Sequence, residues 1–520
     1  MNKKSYKINL LKITAGFAIL IAIGCSNEFL QDKNTKGITD EVVFGSDLTA
    51  TAAISGIYDV LQSDSDGREY DTKSLFVPAN YTTQDYEDSG ADTEFKTYNI
   101  GTDSGRFNNL WIINYKGIGR ANIALQKLPK SIESGSISKD LGNRLIAESK
   151  FLRGLLYTML AQNFGGVPVV VNPSGGDVAV DDYAPRNTQD ETFAQVAADM
   201  EAAIPNLPWS YGPEDKGRAT KATAYHYLGN AYMWMKQYDK AAKAFEALDG
   251  HAQLEADFLN VHAAANRNGK ESLFEIQFYD KASDMGWGRN DNVTALQSFC
   301  MPNEISGWGG YINATKVLYD SFESGDKRKF ATVIGPGDVH PDPLCQIKDF
   351  PNNNIYTDAP ANTIKMNTAG TVAKPWTAVS NAGYFCVKTW RDPALTGNGN
   401  GKIFGGQNLI LARYGESLIS LAECYLNLGK TAEAITTINK IRTRAGLASL
   451  TAITTTNILD EYRHEMAGEF TLWYLYRRSG KATEYIKLRH NITIPAGREL
   501  MPLPKSQIDA NPNLVQNTSY

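Results

Sequence analysis

The sequence predicts an all-α fold built from helical repeats, interrupted by one long loop-rich segment. Residues 225–245 place small and large side chains at the spacing of a tetratricopeptide repeat, in which two helices pack closely. The same spacing recurs over residues 421–438. Between these repeats, residues 250–408 lack helical periodicity and are rich in Gly, Asn, Asp and aromatic residues. A loop region of this length inside a compact protein usually carries function.

The N-terminal half contains further helical patterns. Ser46 is a suitable N-cap for a first helix, because its hydroxyl can accept a hydrogen bond from a backbone amide of the first turn. Helical periodicity then covers residues 110–128, with an end at Pro129, and residues 139–163. A further helix is predicted to begin after Asn187 as N-cap and to be ended by Pro205 and Pro208. These helices resemble degraded repeat pairs.

Two kinds of non-helical segment are also predicted. Residues 63–106 are rich in Asp, Ser, Thr, Gly and Tyr without a clear period, so we expect an irregular, surface-exposed segment. The segments VPVVV (residues 167–171) and LFEIQF (residues 273–278) are strand-like, so short strands are predicted there.

The first 24 residues are predicted to form a lipoprotein signal peptide. Four lysines precede an apolar run at residues 13–23 that is too short to span a bilayer as a mature helix. The sequence IAIGC (residues 21–25) resembles a lipobox, so Cys25 is the predicted lipidation site. Polar residues 25–45 would then form a lipid-anchored tether.

Charge argues against a nucleic-acid partner. The chain has 52 basic and 57 acidic residues, and four of the lysines lie in the predicted signal peptide. The remainder is acidic and contains no basic run, whereas nucleic-acid binding requires Lys and Arg to neutralise phosphates.

Sequence motifs for catalysis or cofactor binding are absent or incomplete. Gly429-Lys430-Thr431 lacks the upstream glycine of a phosphate loop and fits a turn between paired helices better. His464-Glu465 lacks the second histidine of a zinc-protease helix. The sequence therefore predicts no cofactor, no metal and no enzyme. Two carboxylate pairs keep a hydrolase as an alternative, and these pairs are Asp85 with Asp88 and Glu465 with Glu469.

Four cysteines follow Cys25, at positions 300, 345, 386 and 424, and their spacing fits no metal-binding or redox motif. One disulfide and buried thiols are both compatible with this spacing, and the pairing cannot be derived from the sequence.

Aromatic residues in the irregular segments are the positive signal for a ligand. Trp287 and Trp308 are flanked by glycines, which are too small to cover an indole ring. Such rings can stack on the apolar face of a sugar while neighbouring amides and carboxylates bond its hydroxyl groups. The predicted ligand-binding residues are Asn80, Tyr81, Asp85, Tyr86, Trp287, Trp308 and Tyr311. Other aromatic residues lie at helical spacing and are predicted to pack between helices: Trp111, Tyr225, Tyr232, Trp234 and Tyr425. Structural ion pairs are predicted for Arg153, Arg218 and Arg413.

Several motifs resemble the SusD/RagB family of Bacteroidetes outer-membrane lipoproteins. The C-terminal stretch LMPLPKSQIDANPNLVQN (residues 500–517) is similar to the closing motif of that family nearly residue for residue. RYGE (residues 413–416) resembles its RYAE motif, with Gly415 in place of the usual alanine. Further similar motifs are ESKFLR (148–153), FGGVP (164–168), GRATK (217–221), LAE (421–423) and IRTRAGL (441–447).

The resemblance implies about four tetratricopeptide-like helix pairs, a loop-rich ligand-binding face and few short strands. It also implies an outer-membrane location facing the cell exterior and a TonB-dependent, SusC-like barrel transporter as partner. With it, the chain divides into the signal peptide (1–24), the tether (25–45), an N-terminal SusD-like region (46–249), the ligand-binding region (250–408) and the C-terminal SusD/RagB region (409–520). The predicted function is capture of an oligosaccharide or polysaccharide for uptake. A peptide cargo and a scaffold that binds only proteins are the alternatives.

Overall fold

The computed structural model of the protein describes residues 40–62, 73–88, 92–171, 183–278, 296–301, 311–335, 338–345, 384–389 and 406–520. Helices dominate these ranges, which confirms the predicted all-α class. Cys25, Trp287 and Trp308 lie outside the described residues. Within the described ranges, none of the helices combines the length and the apolar character needed to cross a membrane.

The N-terminal half is built from nine helices within its described ranges. They are α1 (Asp40–Val43), α2 (Asp47–Tyr58), α3 (Lys73–Asn80), α4 (Thr93–Thr97), α5 (Gly105–Glu133), α6 (Lys139–Phe164), α7 (Gln189–Ala203), α8 (Lys221–Trp234) and α9 (Tyr238–Glu246). The later helices are α10 (Leu296–Cys300), α11 (Lys316–Ser321), α12 (Arg328–Thr332), α13 (Tyr414–Asn427), α14 (Thr431–Ala445), α15 (Thr455–Met466), α16 (Leu472–Arg478), α17 (Ala482–His490) and α18 (Lys505–Ala510).

The repeat helices pack in a continuous row. Each helix from α5 to α9 contacts the next one in the chain, α9 contacts α13, and α13 contacts α14. The two repeats predicted from spacing, α8 with α9 and α13 with α14, are therefore neighbours although the loop-rich segment separates them in sequence. The row forms one side of a shared hydrophobic core with α15 and α16.

Close approach within the first clear repeat depends on a glycine. A Cβ atom at Gly229 in α8 would lie 2.6 Å from the ring of Phe245 in α9. The aromatic residues at helical spacing pack between helices, as predicted. Trp234, for example, stacks on Phe193 of α7 with ring centroids 5.1 Å apart. Gly429 has φ 74° and forms the predicted turn between α13 and α14.

Helix ends follow the capping signals of the sequence, with one shift. The Ser46 hydroxyl accepts a hydrogen bond of 3.2 Å from Thr49 N, as predicted. The cap of α7 is Thr188 rather than Asn187, because Thr188 and Glu191 form a reciprocal capping box.

Two further predictions about the N-terminal half are wrong. Helix α5 continues past Pro129 to Glu133. Pro129 lies on the exposed side of the helix, where the carbonyl group that it leaves without a partner can bind water. Residues 167–171 are extended but pair with no strand. Side chains satisfy their amides instead: Tyr157 Oη accepts from Val170 N at 2.7 Å, and Asn187 Oδ1 accepts from Val169 N at 2.9 Å.

In the part of the chain that the structure describes, three two-stranded antiparallel sheets form beside the repeats. They are β1 (Tyr86–Asp88) with β3 (Ile312–Ala314), β2 (Ser272–Ile276) with β6 (Leu409–Arg413), and β4 (Val333–Ile334) with β5 (Phe385–Cys386). β2 confirms the strand predicted there. Each sheet joins segments that are far apart in sequence and lie beside the loop-rich region.

A small pocket of about 40 Å³, large enough to hold water, lies between the helical row and α16. Its lining includes His226 of α8 and Glu416 of α13, whose Nε2 and Oε1 atoms are 3.6 Å apart. Burial raises the pKa of Glu416 to about 7 and lowers the pKa of His226 to about 3. The imidazole is therefore neutral at neutral pH.

The packing of α8 against α9 can be tested by Gly229→Ala. The added methyl group would meet the buried Phe245 ring, so we expect overpacking to lower the free energy of unfolding by about 1–3 kcal/mol. Gly119→Ala is the matched control, because a Cβ at Gly119 in α5 meets no atom within 4 Å. The control should be neutral or slightly stabilising, since alanine favours helix. Equal stability of the two variants in urea unfolding would contradict this packing.

Because the pKa of Glu416 is raised, we expect the stability of the folded protein to depend on pH. The folded protein keeps a proton on this group up to about pH 7, whereas the unfolded chain releases it near pH 4.3, so the group makes the protein less stable as pH rises between these values. Glu416→Gln removes that titration. We therefore expect the difference in urea midpoint, variant minus wild type, to increase as the pH is raised from 5 to 8.

Glu484→Gln, at an exposed position on α17, is the control and should show no such change. A difference between Glu416→Gln and wild type that stays constant with pH would contradict the raised pKa.

Candidate ligand-binding face

The β1–β3 sheet holds the base of the segment that carries Trp308. Tyr86 pairs with Ala314 and Asp88 with Ile312, so β3 begins directly after Tyr311. Thr315 N donates a hydrogen bond of 2.9 Å to the Asp85 carbonyl and extends the attachment beyond the strands. The position of Tyr311 is therefore fixed by the core.

Tyr311 is half-buried. Its ring lies edge-on to Phe299 of α10, with centroids 5.7 Å apart, and its carbonyl accepts a hydrogen bond of 3.5 Å from Tyr81 Oη. One side of this residue is thus packed on the core. The structure describes five of the seven predicted ligand-binding residues, and among these five only Tyr311 is partly exposed to solvent.

Four other predicted ligand-binding residues, Asn80, Tyr81, Asp85 and Tyr86, are not on the surface. The exposed fraction of each of these four side chains is 0%. Residues 73–88, which were predicted to belong to an irregular surface segment, instead form α3, a short turn and β1 in the core. Asn80 Nδ2 donates to the Glu469 carbonyl at 2.6 Å, and its Oδ1 accepts from Gly468 N at 3.0 Å. The predicted exposure is wrong, because long-range partners satisfy these polar groups inside the protein.

Asp85 forms a buried ion pair with Arg463 of α15. Arg463 Nε lies 2.9 Å from Asp85 Oδ2, and Nη2 contacts the other carboxylate oxygen, so the pair is bidentate. His490 Nε2 lies 3.5 Å from Asp85 Oδ1. Burial lowers the pKa of His490 to about 4, so the imidazole adds no charge at neutral pH. This ion pair joins β1 to the C-terminal region.

A second junction lies where β2 leads out of the described core. Phe278 N donates a hydrogen bond of 2.9 Å to Asn408 Oδ1, and Asn408 Nδ2 donates to Glu275 and Gln277 at 2.9 Å each. Gln277 also exchanges two hydrogen bonds with Asn268. These amides fix the chain immediately before residues 279–295, which contain Trp287, and immediately after residues 390–405.

A cleft of about 230 Å³ adjoins this junction. Its lining includes Tyr58 of α2, Gln62, Arg218 and Gln277. Arg218 Nη1 lies 2.9 Å from Glu148 Oε2, which confirms its predicted structural ion pair. Gln62 donates a hydrogen bond to the Gln277 carbonyl. Hydrogen-bonding side chains and a concave shape are suited to a polar ligand.

A buried ion network lies beneath both junctions and centres on Arg413 at the end of β6. Its Nη1 atom lies 2.9 Å from Glu271 Oε1 and 2.7 Å from Glu465 Oε1. Its Nε atom lies 2.8 Å from Glu469 Oε2, and Lys388 Nζ lies 2.6 Å from Glu469 Oε1. Burial alone would raise the pKa of Glu469, but Arg413 and Lys388 lower it well below its usual range.

The network explains the glycine within the RYGE motif. A Cβ atom at Gly415 would collide with the Arg413 guanidinium and lie 2.7 Å from Glu465 Oε1. Arg413 is a structural ion-pair residue, as predicted, and so is Arg153, which pairs with Asp199 at 2.6 Å.

Three of the four carboxylates considered for a hydrolase are used in the core. Asp85, Glu465 and Glu469 are each at most 3% exposed and are salt-bridged. General acid catalysis requires an accessible proton, which these groups do not offer. Among the residues that the structure describes, no group of three or more His, Cys, Asp or Glu residues is arranged to hold a metal ion.

Comparison with known families agrees with this architecture. The family model described as SusD family matches residues 270–520. A SusD-like family model described as starch-binding associating with outer membrane matches residues 28–233, and a tetratricopeptide-repeat model matches residues 223–249.

Individual relatives are distant in sequence but similar over nearly their whole length. A SusD-like protein from Bacteroides ovatus is 23% identical over 490 residues, which cover 89% of this chain and 81% of that protein. The solved structure of a laminarin-binding SusD-like protein has a TM-score of 0.73 and 23% identity, covering 91% of this chain and 100% of that one. Surface glycan-binding protein A from Bacteroides fluxus has a TM-score of 0.73 and 22% identity, covering 92% and 100%.

The row of paired helices with loop-bearing strand junctions defines a tetratricopeptide-like scaffold protein. The chain belongs to the SusD/RagB family, in agreement with the motifs found along the sequence.

Asp85→Asn tests whether the buried ion pair holds β1 in place. The substitution leaves the Arg463 guanidinium buried without its counter-charge, which costs about 3–5 kcal/mol of unfolding free energy. Asp509→Asn is the control, because its ion pair with Lys505 on α18 is exposed and should contribute almost nothing. Urea unfolding of both variants measures the difference, and a small loss in Asp85→Asn would contradict a structural role.

Proposed function

We propose that the protein is a non-catalytic, surface-exposed lipoprotein that captures oligosaccharides or polysaccharides and delivers them to a TonB-dependent, SusC-like outer-membrane transporter. The observation that carries the proposal is the anchoring of the aromatic loop segments. Phe278, the last described residue before the segment with Trp287, donates a hydrogen bond to Asn408. Strand β3, which begins shortly after Trp308, is fixed by backbone pairing with β1. Membership in the SusD/RagB family supports the same function.

The proposed ligand-binding residues are Trp287, Trp308 and Tyr311. Stacking of their rings on sugar faces would supply most of the contact area. Gln62 lines the cleft near the segment that contains Trp287, and its side-chain amide would bond a sugar hydroxyl there. The names of two structurally similar proteins describe glycan binding: one is a laminarin-binding protein and the other a surface glycan-binding protein.

The proposed anchor is a lipid on Cys25, followed by the tether of residues 25–45. The description of the family model over residues 28–233 includes association with the outer membrane, which supports this location. The acidic balance of the chain agrees with a partner other than nucleic acid. A barrel transporter as partner rests on the family resemblance.

A hydrolase is disfavoured because its candidate carboxylates are buried in ion pairs. A peptide cargo uses the same architecture, since aromatic rings and amides also bind peptides. The protein-only scaffold leaves the glycine-flanked tryptophans without a role. Glycan binding therefore accounts for more of the sequence than the alternatives do.

Trp287→Ala and Trp308→Ala test the site in affinity electrophoresis on a polysaccharide panel that includes laminarin and starch. Loss of one stacking ring removes about 1 kcal/mol, so we expect the dissociation constant to rise by roughly fivefold for each variant. Trp209→Ala is the matched control. Trp209 stacks on His251 beside the repeats and should not affect affinity.

Release of reducing ends is followed in the same samples. Retardation of wild type without release supports capture, and release would contradict the non-catalytic proposal. Retardation that both tryptophan variants keep would place the site elsewhere. No retardation on any glycan would contradict glycan capture and favour a peptide or protein ligand.

A further inference from the structure

Two cysteines from distant parts of the loop-rich region meet in the core behind the β1–β3 sheet. Cys300 ends α10 and Cys386 ends β5, and both side chains are 0% exposed. Helix α10 contacts β3, and β3 contacts β5. Ala314 N also donates a hydrogen bond of 3.1 Å to the Tyr384 carbonyl, so the backbones are held side by side.

The Cys300 and Cys386 side chains are neighbours in one hydrogen-bonded cluster. The Cys300 thiol donates a hydrogen bond to the Cys386 sulfur, and Tyr86 Oη lies 3.5 Å from the same sulfur. A Cβ atom at Gly468 would lie 3.0 Å from Cys386 Sγ, so the missing side chain there makes room for the sulfur. Burial raises the pKa of Cys386, but hydrogen bonds from Cys300, Tyr86 and Thr389 lower it to about 6.

Cys424 shows what an isolated buried thiol in this protein looks like. It lies within α13 in the helical row, and burial together with the neighbouring Glu423 raises its pKa. That environment suits a thiol that only packs. The Cys300–Cys386 pair differs because each sulfur has the other as a neighbour.

We propose that Cys300 and Cys386 form a disulfide bond in the exported protein. The oxidant is an external disulfide, such as glutathione disulfide or the disulfide of a periplasmic oxidoreductase, and the signal peptide predicted at residues 1–24 would bring the chain to it. The Cys386 thiolate attacks the external disulfide and releases one thiolate. Cys300 then loses its proton to water and attacks the Cys386 sulfur, and the second external thiolate leaves. Two protein thiols are oxidised and one external disulfide is reduced to two thiols.

Because both sulfurs are buried, this exchange occurs while the chain folds, before α10 packs against β3. The bond closes a loop that includes β3 and β4 and both ends of the segment that carries Trp308 and Tyr311. A cross-link over a long loop mainly restricts the unfolded chain. It would therefore stabilise the proposed ligand-binding face without changing its shape.

Peptide mapping of the full chain, exported to the envelope of a Gram-negative host, tests the proposal. Thiols are alkylated at lysis, and the protein is digested with trypsin without reduction. Trypsin places Cys300, Cys345 and Cys386 on different peptides, so the pair is identified by mass. We expect the Cys300 and Cys386 peptides to be linked. Alkylated Cys300 and Cys386, or a link from either one to Cys345 or Cys424, would overturn the proposal.

Thermal unfolding gives a second readout. Dithiothreitol should lower the midpoint of wild type by roughly 4–5 °C, the shift expected for opening a long cross-linked loop in a chain of this size. The double variant C300S/C386S should show no shift with dithiothreitol, and Cys424→Ser should keep the wild-type shift. Equal sensitivity of C300S/C386S and wild type to dithiothreitol would contradict the assigned pair.

Discussion

The buried guanidinium of Arg413 is the interaction on which the rest of the structure depends. A charge in a protein interior is costly unless it is paired and hydrogen-bonded with good geometry. Arg413 meets this condition with three carboxylates, from Glu271 before β2, Glu465 of α15 and Glu469 beyond it. Glu465 and Glu469 lie four residues apart, at and just after the end of α15, whereas Glu271 is distant from them in sequence. The charge on one side chain therefore forces a strand, a helix and a loop to meet at one point.

The network extends from this point to the base of each loop-bearing segment. Lys388, two residues after β5, binds Glu469, and Arg444 of α14 binds Glu271. The neighbouring pair of Asp85 with Arg463 adds β1. The phenyl ring of Phe258 lies against three of these cations, at 4.7–5.6 Å from its centroid. Helical repeats thus supply the bulk of the protein, while paired charges determine where the strands leave it.

The sequence was informative where structure is local. Repeat spacing identified α8, α9, α13 and α14, because residues that pack between neighbouring helices lie at fixed short separations. It failed for residues 73–88, whose polar and aromatic composition is typical of a surface loop. Asp85 is buried because of Arg463, which lies 378 positions further along the chain, and no local pattern reports such a partner.

The same limit of local patterns applies to Tyr86, the first residue of β1, and to Tyr311, which directly precedes β3. Both were predicted from loop-like surroundings, yet Tyr86 points at the cysteine pair in the core and Tyr311 remains half-exposed. Composition could not decide which ring would face solvent, because this depends on where the pairing of β1 with β3 begins and ends. Glu416 is a similar case, because its pocket is assembled by helices that are distant in sequence.

The anchoring of the strands has a consequence for ligand capture. Binding by loop residues costs conformational entropy, and the cost is smaller when the ends of the loop are already fixed. Here the attachment points next to Trp287 and Trp308 are held by backbone pairing, amide hydrogen bonds and the ion network before any ligand arrives. In the proposed function, the entropy of fixing these attachment points is therefore not part of the cost of binding a glycan. A repeating polysaccharide could then engage several rings in succession, and the second contact would gain from the high effective concentration that the first one creates. Modest contributions from single rings are therefore compatible with efficient capture of a polymer.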